Sequence, residues 1–100
     1  MTAAEFNTYI GNKNFRSTDG THYRFIAENT LRVGNAMANS AKYRIDESGV
    51  KNHFILHHDN ILGNEPVLIQ IVSLQFPVTI SMMTKLTGKF LGTWVEQSKL

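Results

Sequence analysis

One hundred residues make a single domain, here 1–100, and a chain of this length buries roughly 60–70% of the surface its unfolded form exposes. Apolar residues at 42%, charged residues at 18% and a formal charge of +2 exclude a disordered chain and give no reason to expect a nucleic-acid partner. The absence of cysteine removes disulfides, thiolate catalysis and cysteine-ligated zinc, and there is no run of about 18 apolar residues to span a membrane.

The opening MTAAEFNTYIG has no basic segment leading into an apolar one, so no signal peptide is expected. The default compartment is then cytoplasmic, or exported if a leader has been removed. Thr2 is placed to cap a short helix through AAEFNTYI, where Phe6, Tyr9 and Ile10 recur at helical spacing, and Gly11–Asn12 ends it. Residues 1–14 are expected to form a helical plug and lead-in.

From Phe15 onward the apolar period falls to two. STDG (17–20) is a turn. In THYRFIA after it, Tyr23 and Phe25 take one face and His22, Arg24 and Ile26 the other. ENT (28–30) leads into LRVG, with Leu31 and Val33 inward and Arg32 outward. NAMANS (35–40) loops to AKYRID, where Ala41, Tyr43 and Ile45 alternate with Lys42, Arg44 and Asp46. ESG (47–49) turns into VKNHFILHH, and DNILGNEP (59–66) connects to VLIQIVSLQF, which Pro77 ends or bulges. VTISMM and KFLGTWVEQ complete seven or eight strands. Their short connections force neighbours to be antiparallel, because a parallel crossover needs about a dozen residues or more. The expected fold is mostly β: an up-and-down meander whose two free edges are removed by closing into a barrel.

The stretch KNHFILHHDN (51–60) gathers three histidines. On a strand, His53 and His57 share a face but stand roughly 13 Å apart, while each zinc ligand must come within about 2.1 Å of the metal. His57 and His58 point oppositely. An extended segment therefore supplies no pair of ligands, and no metal site is expected.

The same alternation turns Tyr23, Phe25, Tyr43, Phe54, Leu56, Met82, Phe90 and Trp94 inward, with His58 near the end of its strand as a polar handle. These residues either fill the barrel or line a pocket for an apolar or amphipathic small molecule, Met82 and Met83 with Phe90 and Trp94 making a soft part of its wall. On the outside, Arg24, Arg32, Lys42 and Arg44 form a cationic stripe across three strands, either an anion-binding surface or a solvated face relieved by Glu28, Asp46 and Glu47. A third feature is a stretch without lysine or arginine from Asn52 to Thr84. Within it Val67, Ile69 and Ile71 lie on one face of a strand and Leu68, Val72 and Leu74 on the other. That outer face is covered by the helix and termini or meets a partner.

No phosphate loop, nucleophile elbow or HExxH motif is present, and the carboxylates fall in turns or on outer faces, save Glu96 at the end of the last strand. No enzymatic activity and no cofactor are expected. DGTHYRF, NTLRV, AKYRID, VLIQIVSL, VTISM and the terminal GTWVEQ together resemble the small lipocalin-like domains of bacteria, over roughly Phe15 to Gln97. Lipocalins carry G-x-W on the first strand, whereas here Gly92-Thr93-Trp94 lies near the end. The resemblance implies an eight-stranded barrel or half-open sheet, functions ranging from apolar ligand binding to none known, frequent export as lipoproteins, and no catalytic residue. Two functions stay open: a binding module for a small hydrophobic ligand in the barrel, or an interaction domain with a packed core that self-associates through residues 67–74, as a monomer or weak homodimer.

Overall fold

The computed structural model describes residues 1–34 and 39–98; most of the expected NAMANS loop lies outside the described residues. One helix, α1 (Ala3–Ile10), precedes eight strands: β1 (Asn14–Ser17), β2 (His22–Ile26), β3 (Thr30–Val33), β4 (Ser40–Glu47), β5 (His53–His58), β6 (Val67–Ser73), β7 (Thr79–Thr84) and β8 (Phe90–Glu96). Each strand pairs antiparallel with the next. The last returns to the first through Phe15↔Glu96, Arg16↔Val95 and Ser17↔Trp94, which closes the barrel. Among the described residues, no helix is long and apolar enough to cross a membrane.

The helix forms where the sequence places it. Thr2 accepts a hydrogen bond from the Glu5 amide (3.1 Å), and the Glu5 carboxylate accepts one from the Thr2 amide (2.7 Å), a reciprocal capping box. Ala3, Phe6 and Ile10 make its buried stripe, while Tyr9 stays partly exposed at the flank. Polar contacts then fix α1 over one end of the barrel. The Ala3 amide donates to the Glu47 carboxylate (2.5 Å), and Asn7 donates to the side chain of Asn29 (3.0 Å). The Tyr43 hydroxyl donates to Asn7 (2.7 Å), and the Tyr9 hydroxyl to the Leu74 carbonyl. The ends of β2, β4 and β6 therefore sit under the helix. The opposite end is formed by the connections after β1, β3, β5 and β7, and α1 does not reach it.

Aromatic rings fill the space between. Phe6 stacks on Phe54 at 4.7 Å, and Tyr23 on Trp94 at 3.9 Å. Phe25 meets Phe15 edge-on at 5.9 Å and Tyr43 at 5.1 Å. Burial raises the Tyr43 phenol to about 12. Because this acid ionises later in the folded than in the unfolded chain, its contribution to stability is complete below the ordinary phenol value of 10.0 and is lost as the pH rises towards about 12. Alkaline titration of unfolding should show a fall in stability across that window, and Tyr43→Phe should reduce it, leaving the part due to Tyr23, whose phenol burial also raises. An equal fall in the variant would assign it to other groups.

Two strand boundaries differ from expectation. β6 stops at Ser73, with a register shift between Ile71 and Ser73, so the segment through Phe76 is a turn and not the continuation of a strand. In β8 the register shifts opposite Met82 and Met83: Gly92 pairs with Met82, and Phe90, not Leu91, pairs with Met83.

Candidate functional site

The barrel interior is the first candidate. Phe25, Tyr43, Phe54, Leu56, Met82 and Trp94 all lie in the buried core, in contact with one another and with Phe6 and Ile10 of α1. Tyr23 is half-buried against Trp94. Phe90 is a correction. The register shift in β8 rotates it to the outside, where it is 57% exposed, so it lines no interior pocket. Met83, paired beside it, is likewise outward at 37% exposure and is not part of an interior wall.

His58 points inward at the uncapped end and is held by its neighbours. Its Nε2 lies 2.8 Å from the Glu65 carbonyl, which only accepts, and its Nδ1 accepts from the Leu62 amide at 3.4 Å. The ring therefore ties the β5–β6 connection to its strand. His53 and His57 face outward: His53 Nδ1 donates to the Lys51 carbonyl (2.8 Å), and His57 Nε2 lies 3.0 Å from Asp46. The three imidazoles serve three separate local contacts. Glu96, inward at the helix end, accepts from the Val78 amide (3.1 Å) and pairs with Lys13 (3.6 Å).

The cationic stripe divides into two halves. On β4, Arg44 pairs with Asp46 (2.9 Å), whose carboxyl is held below its ordinary value chiefly by the Arg44 hydrogen bonds. Lys42 donates to the Glu28 carbonyl (2.8 Å) and lies 3.9 Å from the Glu28 carboxylate. Arg24 and Arg32 stand directly opposite one another across β2 and β3.

A shallow hollow of about 350 Å³ opens at the uncapped end, lined by Val33, Asn39, Ser40, Ala41, Asp59, Asn60 and Ile61. None of the expected interior ligand residues borders it.

No family model, curated protein or solved structure matches this chain. Its own surfaces must therefore carry any functional reading.

One surface stands out that residue alternation along single strands did not reveal. The registers place Ile55, Leu68, Met83 and Phe90 side by side on β5, β6, β7 and β8, an apolar row running across the outside of the barrel. The helix does not cover it, since α1 lies over the end of the barrel. Beyond the row, the turn of the β7–β8 hairpin carries Leu86 at 74% exposure. That turn is rigidly built. Glu65 accepts hydrogen bonds from the amides of Leu86 (2.8 Å) and Thr87 (3.1 Å) and from the Thr87 hydroxyl (2.9 Å). Thr84 adds bonds to the Thr87 hydroxyl (2.8 Å) and from the Lys89 amide (2.7 Å). Burial pushes the Glu65 carboxyl up, but its bonds from Thr87 and Leu86 outweigh this and leave it below its ordinary value.

Proposed function

We propose that this protein is a non-enzymatic binding module, of the small lipocalin-like kind, that works from the outside of β5–β8 while its interior is a packed core. The observation that carries this is the transverse row Ile55–Leu68–Met83–Phe90, with Phe90 57% exposed. Contiguous apolar surface, exposed at Met83 and Phe90 and partly accessible at Ile55 and Leu68, marks interaction sites on globular domains. The stacked rings of the core support the same conclusion, because they occupy the space a ligand would need.

Phe90→Ser makes the test. At an exposed position it should change stability by no more than about 0.5 kcal/mol. It should, however, weaken retention of the folded protein on a phenyl matrix and any concentration-dependent association seen by sedimentation. In parallel, titration with fatty acids and similar hydrophobes should leave Trp94 fluorescence unchanged. A saturable Trp94 shift, with retention indifferent to Phe90, would return the function to the barrel interior.

The hollow at the uncapped end favours a second reading, a small molecule bound there. Its volume of about 350 Å³ is at the low end for ligand sites, and Val33, Ala41 and Ile61 supply apolar wall beside Asn39, Ser40, Asp59 and Asn60.

A further inference from the structure

We propose that the β7–β8 hairpin docks the protein onto an anionic lipid surface, with Leu86 and Phe90 entering the apolar layer and Lys85 and Lys89 meeting the headgroups. This rests on the reading of the β5–β8 outer face as the working surface and names what that face meets.

The first argument is charge. Lys85 and Lys89 flank the turn, both are exposed, and neither makes an ion pair among the described residues. The carboxylate that touches the turn, Glu65, is already occupied by Leu86 and Thr87. Among the described residues neither ammonium group is directly paired, and two of them against the single Glu65 charge leave the hairpin net cationic, which an anionic surface would complement. Each lysine near such a surface strengthens binding by about fivefold.

The second is shape. Leu86 stands 74% exposed on a hairpin turn, as a projection and not as the wall of a groove. A projecting leucine needs a phase that opens around it, which the acyl boundary of a bilayer provides. Lysine stems lie along that boundary while their charges stay in water.

The third is order. The Glu65 and Thr84 bonds fix the turn before any contact is made, so docking immobilises little that was free. A second copy of the chain fits the hairpin less well. A two-fold contact centred on it would bring four lysines together with only the two Glu65 carboxylates, each held by its own turn, to offset them.

Co-sedimentation of the full chain with vesicles decides the matter, using phosphatidylcholine alone and phosphatidylcholine mixed with phosphatidylserine. Binding should require the anionic lipid and fall as salt is raised. The double variant Lys85→Glu, Lys89→Glu should weaken it by roughly 20-fold or more, and Leu86→Asp should weaken it at least as much, both with unchanged melting curves. Absence of binding to the anionic vesicles, or binding that the variants leave intact, overturns the lipid assignment. Sedimentation of the same samples then separates the two readings. Self-association lost in Phe90→Ser would give the face to a second copy and leave the interaction surface standing. A monomer at every concentration, with no vesicle binding, would remove both.

Discussion

Replacing Phe6 by alanine is expected to destabilise the barrel by about 3–5 kcal/mol, the cost of removing a fully buried ring from a core that collapses only in part. Phe6 belongs to the helix, yet its ring is stacked on Phe54 of β5 within the barrel. The helix is thus part of the core. For a domain of this size the loss would be a large share of a total of roughly 5–15 kcal/mol. The midpoint of thermal unfolding should fall on the order of 20 °C. Thr2→Ala, which removes the cap but no core ring, should cost only about 1 kcal/mol. Equal and small effects from both changes would mean that the eight strands stand without their plug.

The second large effect is expected at Gly92. Its backbone has φ 129°, and a Cβ there would lie 2.6 Å from the Ser17 hydroxyl oxygen and 3.0 Å from that of Thr18. Gly92→Ala therefore combines backbone strain with overpacking across the β8–β1 seam, together about 2–4 kcal/mol. Ser17→Ala removes the nearer oxygen, so the double variant should recover part of the loss while the backbone strain and the Thr18 contact remain. Denaturant unfolding of the four proteins makes the cycle. A neutral Gly92→Ala would show that the seam has room to spare.

Much of this fold is legible along single strands. The alternation of Tyr23 and Phe25, of Tyr43 and Ile45, and of Phe54 and Leu56 survives in the barrel, because only one phase of a period-two segment can put its apolar side chains into a core. Phe90 shows where that logic stops. Counting back by twos from Trp94 puts it inside, but the irregularity at Gly92 and Leu91 inserts a residue and reverses the parity. A glycine within a strand is the available signal for such a break.

The outer apolar row was hidden for a different reason. Ile55, Leu68, Met83 and Phe90 come from four separate segments, and what aligns them is the cross-strand register. Local periodicity does not encode that. The clustered histidines illustrate the reverse case: crowded in the sequence, they are dispersed by the strand into contacts with Lys51, Asp46 and Glu65.

The seam between β1 and β8 also has a kinetic meaning. Seven of the eight pairings join consecutive strands, so each forms by closing a short loop, whereas Phe15 and Glu96 can meet only when nearly the whole chain has been drawn round. Loop-closure entropy puts that meeting last on the folding path. Until it happens, the backbone amides along β1 and β8 lack each other, and β8 of one nascent molecule can satisfy β1 of another. The interval before ring closure is therefore when strand exchange competes with folding, and the four residues of β1 offer only a brief template for it.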